Sequence, residues 1–319
     1  MSTIHMLVGL PGSGKSHYAK ELCKRQRAAL VATDAIRERL FGSESIQKNA
    51  YLVFEEAYLE IGKALESGRN VVFDATNVSR DRRLKFLKTF KDAPVECHVM
   101  TTPYEVVAER NLSRKRRVGE RILTKYAKSF EFPVAGEGFQ ELHLVHFPSG
   151  TGLERETLEQ LLASGADHDT LFAYLSAYPH FRTMLGFDQE NPHHSKTLSE
   201  HTYAVLEYLN ACYEGEHLLA MQLAALFHDI GKPFSKVWKA SRGYYSYYGH
   251  EHVSASVAAH VLQELGYDKG FALHVIHLVS FHMDILHGGD AGASKIYHLL
   301  GEDVLAELYF FAEADTFAK

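Results

Sequence analysis

At 319 residues the chain is long enough for two hydrophobic cores, since single cores typically hold roughly 100 to 200 residues. A hydrophobic fraction of 46% and a formal net charge of −6 exclude a disordered or low-complexity polypeptide. Only three cysteines, Cys23, Cys97 and Cys212, are present and widely spaced, which excludes a disulfide framework and a thiolate zinc site.

No apolar run reaches the length of a membrane span, and the start has no basic stretch ahead of an apolar one, so a cytoplasmic protein acting away from membranes is expected. Charge is divided unevenly. Residues 1–150 hold 24 Lys+Arg against 18 Asp+Glu, net +6, whereas residues 151–319 hold 10 against 22, net −12, and 15 of the 20 histidines. A basic half suits a polyanionic substrate and an acidic, histidine-rich half suits bound cations.

In chain order, the apolar run Ile4–Val8 predicts a strand, and the Gly- and Pro-free segment from Lys15 to Arg27 predicts a helix. Between them lies Gly9-Leu10-Pro11-Gly12-Ser13-Gly14-Lys15-Ser16, a P-loop pattern. Its glycines let backbone N–H groups close on phosphate oxygens, Lys15 neutralises the β and γ phosphates, and Ser16 offers a hydroxyl to Mg²⁺. The cofactor expected here is ATP or another NTP with Mg²⁺, held by Gly9, Pro11, Gly12, Ser13, Gly14, Lys15 and Ser16.

A second strand, Ala29–Val31, leads to Asp34 and Arg37, one turn apart at the start of a helix. Asp34 there either caps the helix or takes the proton of an acceptor hydroxyl, with Arg37 holding an acceptor phosphate. Val71-Val72-Phe73-Asp74 is a third strand ending in a carboxylate, which either orients the Mg²⁺ shell or caps the following basic helix with Arg80, Arg82 and Arg83. Val95–Met100 and Leu142–Phe147 are the fourth and fifth strands. Between these two, Arg110-Asn111-Leu112-Ser113-Arg114-Lys115-Arg116-Arg117 is almost purely cationic and reads as a lid that closes over a triphosphate.

The P-loop, Asp34-x-x-Arg37, Phe73-Asp74-Ala75-Thr76-Asn77 and the Arg110 to Arg114 segment together resemble the bacteriophage-type 5′-hydroxyl polynucleotide kinase family, over nearly all of residues 1–147. That resemblance implies an α/β P-loop kinase domain, a parallel sheet flanked by helices. It makes Asp34 the general base, Arg37 the grip on the acceptor phosphate, and Arg110, Arg114 and Arg116 contacts to the donor. Val118-Gly119 stands where such lids often have Val-Pro. Small-metabolite kinases share much of this pattern.

Pro148-Ser149-Gly150-Thr151-Gly152 has linker composition, so domains are expected at 1–150 and 151–319. Helices are predicted over Leu153–Ser164, Asp169–Tyr178, Leu198–Tyr213, Glu216–His228, His252–Leu265, Gly270–His282 and Asp303–Phe317. His228-Asp229 closes one whose other face is Leu219, Leu223 and Leu226, and adjacent His and Asp at a helix end can both turn toward one cation. Trp238, Tyr244, Tyr245, Tyr247 and Tyr248 surround Ser241-Arg242-Gly243 as in a β-hairpin, either packing it or stacking on a base.

The string His228-Asp229-Ile230-Gly231-Lys232-Pro233 looks like the HD phosphohydrolase superfamily, which is all-helical. The segments Asn191-Pro192-His193-His194…Glu200-His201-Thr202 and Gly249-His250-Glu251 are similar to HD domains found with tRNA-maturing nucleotidyltransferases. The resemblance implies one or two divalent metals. His201, His228, Asp229 and Asp315 would hold the first, while Asp229 bridges to a second on His250 and His282, with His252 and His277 as alternatives. Lys232 would steady a phosphate oxygen. Nitrogen and carboxylate donors suit Mn, Fe, Co, Ni or Zn.

Both resemblances point to a bifunctional end-healing enzyme that phosphorylates 5′-hydroxyl ends of RNA or DNA and removes 2′,3′-cyclic or 3′ phosphates. Nucleic-acid ends are the expected substrate and an RNA ligase the downstream partner. A small-metabolite or nucleoside kinase fused to a nucleotide-hydrolysing HD domain, and a nucleotide-sensing regulator, are the other readings.

Overall fold

A computed structural model describes residues 2–44, 46, 49–114, 117–192 and 195–319. The chain divides into two compact units, one ending at His146 and the other Phe147–Lys319. In the first, β1 (Ile4–Val8), α1 (Lys15–Gln26), β2 (Ala29–Ala32), α2 (Thr33–Phe41), α3 (Ala50–Glu66), β3 (Val71–Asp74), α4 (Arg80–Thr89), β4 (Val95–Met100), α5 (Tyr104–Ser113), α6 (Glu120–Lys128), a short turn of tight helix at Ala135–Glu137 and β5 (Glu141–Val145) follow one another. The five strands form one parallel sheet in the order β2-β3-β1-β4-β5.

The sheet core follows from composition. β1 and β3 are buried along their whole length, as near-continuous apolar strands covered on both faces are. Because the strands are parallel and β1 is central, the segments after β1, β2 and β3 all emerge at one edge of the sheet, where α/β folds bind ligands. Register makes this concrete: Ala32 lies opposite Asp74, and Met6 opposite Phe73. α3 is not among the elements read from the sequence, although Val53, Ala57 and Ile61, four residues apart, line its buried face.

In α4, the basic helix read from the sequence, two of the three arginines are not exposed. Arg80 and Arg83 are buried, and Arg83 forks onto Glu137, Nε to Oε2 and Nη2 to Oε1, both at 2.7 Å. Arg80 Nε reaches the same Glu137 at 3.2 Å. Two guanidiniums thus tie α4 to the turn at Ala135–Glu137 and are not free for a phosphate. Glu137→Ala leaves Arg83 charged and dry, so denaturant unfolding of the variant is expected to show a loss of roughly 3–5 kcal/mol; a change below about 1 kcal/mol would mean that the pair contributes nothing.

The second unit is helical apart from one hairpin: α7 (Arg155–Ala163), α8 (His168–Leu175), α9 (Pro179–Arg182), α10 (Leu198–Cys212), α11 (Leu218–Phe227), α12 (Lys232–Ser235), β6 (Val237–Lys239), β7 (Tyr244–Ser246), α13 (His250–Glu264), α14 (Lys269–Leu300) and α15 (Glu302–Phe317). Residues Ala220 to Phe227 of α11 are all buried, not only one face of it, which makes α11 the central helix around which the others pack. α10 starts on a capping box, Thr197 with Glu200, which fixes where His201 enters the core. α14 does not stop at His282. It runs on to Leu300 with non-helical backbone at Gly289, so the break falls at the Gly288-Gly289 pair. Among the described residues no helix is long and apolar enough to cross a membrane.

Candidate active sites

Gly12 and Gly14 take φ of 94° and 96°, left-handed backbone that lets the loop curl over the start of α1. The loop is pinned from neighbouring strands. Asn77 Nδ2 donates to Leu7 O at 2.8 Å, Thr102 Oγ1 to Ser13 O at 2.9 Å, and Gly9 N to Thr76 O at 3.0 Å. Lys15 folds back, Nζ donating to Gly9 O at 2.9 Å and Leu10 O at 2.7 Å, the carbonyls it would leave for a triphosphate. Burial lowers its pKa to about 8 against the pull of Asp74 and Asp34.

Asp74 ends β3 beside this loop, where burial raises its carboxyl while Lys15 and a hydrogen bond from Ser16 hold it down. It does not cap α4, whose cap position is Ser79. A hydroxyl and a carboxylate facing each other at a P-loop fit a Mg²⁺ shell. Asp34 likewise is not a cap: α2 is preceded by Ala32, and Asp34 sits within its first turn. Arg37 Nη1 donates to Asp34 Oδ1 at 2.6 Å, with the guanidinium nearly buried and the carboxylate half exposed. The Asp34–Arg37 ion pair therefore stands preassembled at the edge where the P-loop opens.

In the cationic segment, Arg110 lies in the last turn of α5 and Arg114 follows it in extended backbone. The Arg114 charge acts on both Lys15 and Asp74. Lys115 and Arg116 lie outside the described residues. Asn111, to which the sequence reading gave no role, closes the loop: its Nδ2 donates to Val118 O at 2.7 Å and its Oδ1 accepts from Val118 N at 2.9 Å. Gly119 starts α6 with ordinary negative φ, so the absence of proline there leaves the turn intact.

In the helical unit two donor groups meet on Asp229. His201, His228 and Asp229 form one and Asp229, His250 and His282 the other. On the first side, His201 Nε2 lies 3.4 Å and His228 Nε2 3.2 Å from Asp229 Oδ2, with Asp315 Oδ1 2.9 Å from His201 Nε2. On the second, His250 Nε2 lies 3.0 Å and His282 Nε2 4.0 Å from Asp229 Oδ1. His252 and His277 are in neither group. His193 and His194 lie outside the described residues.

The tautomers follow from the partners. His228, His250 and His282 each place Nδ1 on the carbonyl three residues back, Ala225, Tyr247 and Val279, at 2.7, 2.9 and 2.8 Å. A carbonyl only accepts, so each Nδ1 carries the proton and each Nε2 presents a lone pair. Lone pairs then face each other, His250 against His282 at 3.3 Å, and His228 meets the His201 Nε2 at 3.4 Å. Such a set is satisfied by cations, and the backbone carbonyls are the outer shell that orients metal-bound histidines. Burial pulls His201 down, but Asp229 and Asp315 outweigh it and raise it to about 9. Burial and the neighbouring rings hold His282 near 3.

Gly231 explains how the two halves meet. A Cβ there would lie 2.5 Å from His250 O and 2.9 Å from Ser254 N, and its N–H donates to Ser254 Oγ at 3.0 Å. Only glycine lets the turn after Asp229 approach the start of α13. Lys232, buried, puts Nζ 2.6 Å from Asp229 Oδ2 and donates to Gln189 Oε1 at 2.8 Å. Gln189 has no motif around it, and no sequence signal marks it. Tyr247 donates to its carbonyl. In the hairpin, Tyr247 is thus committed to packing, whereas Trp238 and Tyr248 are more than half exposed.

Residues 4–133 match the AAA domain family and residues 198–319 the HD domain family. The chain is 32% identical over 140 residues to the CC-adding tRNA nucleotidyltransferase of Thermus thermophilus, covering 44% of this chain and 32% of that protein. It is 26% identical over 194 residues to adenylate kinase 8 of Mus musculus, covering 58% of this chain and 38% of that protein. The chain thus spans about a third of the length of the curated relatives it matches. Among solved structures, a chain of the Pnkp1/Rnl/Hen1 RNA repair complex is 23% identical, with a TM-score of 0.38 over 40% of this chain and 44% of that one. The polypeptide accordingly joins a P-loop kinase domain of the AAA type to a C-terminal HD domain.

Proposed function

We propose that this two-domain enzyme heals nucleic-acid ends, its first unit phosphorylating 5′-hydroxyl termini and its second removing 2′,3′-cyclic or 3′ phosphates. The observation that carries the reading is the coexistence in one chain of an acceptor-side Asp34–Arg37 pair at a P-loop and a doubly shared Asp229 among four histidines. Ribonucleases that cut through the 2′-hydroxyl leave just these two ends. The named tRNA-acting relative supports an RNA substrate for the HD half.

In the kinase, Asp34 accepts the proton of the attacking hydroxyl while Arg37 holds the phosphate beyond it. Lys15 leaves Gly9 O and Leu10 O for the donor phosphates, and Ser16 with Asp74 holds the nucleotide's Mg²⁺. In the HD domain, His201, His228, Asp229 and Asp315 would hold one divalent cation and Asp229, His250 and His282 a second. Bound there, such a pair would lower the pKa of water and neutralise phosphate charge. Lys232, buried beside Asp229, supplies a donor to a phosphate oxygen. An RNA ligase consumes the healed ends.

Arg114 contributes by meeting charge on the donor. Arg114→Ala is expected to slow single-turnover transfer by roughly 10²–10³-fold at saturating substrate, the range for losing one transition-state donor. Oligonucleotide binding and its salt slope should stay nearly constant; an unchanged rate with weaker, salt-sensitive binding would reduce Arg114 to steering.

The match to adenylate kinase 8 favours a second reading, transfer to a mononucleotide or small metabolite. Labelled γ-phosphate offered to a 5′-hydroxyl oligonucleotide beside nucleosides, mononucleotides and sugars separates them. Transfer only to the small acceptors overturns the end-healing assignment.

A further inference from the structure

Three strands of the nucleotide-binding sheet carry another set of convergent donors, which the kinase chemistry does not use. His5 stands on β1, Glu96 and His98 on β4, and His143 on β5. Register pairs His5 with Glu96 and His98 with His143, and Glu96 and His98 are two residues apart, so all four side chains share one face of the sheet. The P-loop begins four residues beyond His5, about 13 Å further along the strand direction.

The donor spacings fit a metal site as well as a hydrogen-bond cluster. His5 Nδ1 and His143 Nε2 lie 3.2 and 3.1 Å from the same oxygen, Glu96 Oε2, and His98 Nε2 lies 3.8 Å from it. His5 Nδ1 and His98 Nε2 are 3.2 Å apart. Ligands 2.0–2.2 Å from a tetrahedral ion stand about 3.3–3.6 Å from one another. Charge-assisted hydrogen bonds are shorter, about 2.7–2.9 Å. The HD donors around His201 show comparable spacings, 2.9 to 3.4 Å.

The chemistry of the set agrees. Glu96 Oε2 has the His5 Nδ1 and the His143 Nε2 within hydrogen-bond distance and the His98 Nε2 at 3.8 Å, so ring nitrogens from three strands gather at one carboxylate oxygen. Tyr18 Oη sits 3.0 Å from His98 Nδ1, an outer-shell contact that aims Nε2 at the group. Two imidazoles with one carboxylate suit a borderline ion such as Zn²⁺ and not Mg²⁺ or Ca²⁺.

We propose that His5, Glu96 and His98 form a structural Zn²⁺ site that clamps β1 and β4 of the kinase sheet together, with His143 of β5 orienting Glu96 as an outer partner. Glu96 and His143 are about a quarter to a third exposed, so replacing them spares the core. The full chain, stripped by chelation, is titrated with Zn²⁺ against a chromophoric chelator. Glu96→Gln is expected to bind about one equivalent less tightly than the unaltered chain, by more than the roughly 10–100-fold that losing an outer-shell partner costs, and His143→Ala by about that outer-shell amount. Asp229→Ala, which impairs the HD centre, should retain this equivalent and give a tetrahedral Co²⁺ absorption spectrum. Equal Zn²⁺ binding by all three sheet forms, or no tetrahedral Co²⁺ spectrum in Asp229→Ala, overturns the site. The second measurement holds even if the sheet variants fail to fold.

Discussion

Asp229→Ala is expected to abolish removal of a 2′,3′-cyclic phosphate while 5′ phosphorylation continues at its normal rate. Asp229 gives Oδ2 to the His201/His228 side and Oδ1 to the His250 side, so its loss disturbs both positions at once. Metal chemistry at such a centre supplies several kcal/mol of transition-state stabilisation, and each 1.36 kcal/mol is tenfold, so a fall of at least ~10³-fold is predicted. His282→Ala removes a donor from the second side only, and metal analysis of purified protein should show a smaller loss. Hydrolysis by Asp229→Ala at the unaltered rate would remove the helical unit from the chemistry.

Lys15→Ala and Asp34→Ala are expected to stop 5′ transfer with hydrolysis intact. Removal of a positioned base costs roughly 10²–10⁴-fold in rate. For Lys15, the ammonium now held by Gly9 O and Leu10 O is the cation proposed to meet the donor phosphates, so donor binding should weaken along with the rate. Asp34→Ala should instead lower the rate at saturating ATP with donor affinity nearly unchanged. It also releases Arg37 from its 2.6 Å partner, so acceptor affinity is measured beside it. Full transfer by Asp34→Ala would mean that the carboxylate only fixes the guanidinium.

Much of this fold is legible in the sequence because its signals are local. The P-loop, Asp34 in the first turn after β2, Asp74 at the end of β3, and the His228-Asp229 string each announce themselves within a few residues. What is not legible depends on distant partners. Arg80 and Arg83 read only as part of a basic helix, and Glu137, more than fifty positions away, takes both. Gln189 gains its place only when the chain returns to put Lys232 against it. α14 runs past His282 because its second part, beyond Gly289, makes its own contacts, such as Lys295 with Asp284 at 3.1 Å. The His5, Glu96, His98 and His143 group is invisible to spacing rules, because strand register and not sequence proximity assembles it.

The most direct measurement of the account is made on one short RNA that carries a 5′-hydroxyl at one end and a 2′,3′-cyclic phosphate at the other. Incubated with the full chain, ATP, Mg²⁺ and a divalent transition metal, it should gain a 5′ phosphate and lose the cyclic phosphate, with Asp34→Ala blocking only the first change and Asp229→Ala only the second. If both ends stay as they were while a mononucleotide or nucleoside is phosphorylated under the same conditions, the end-healing account is contradicted.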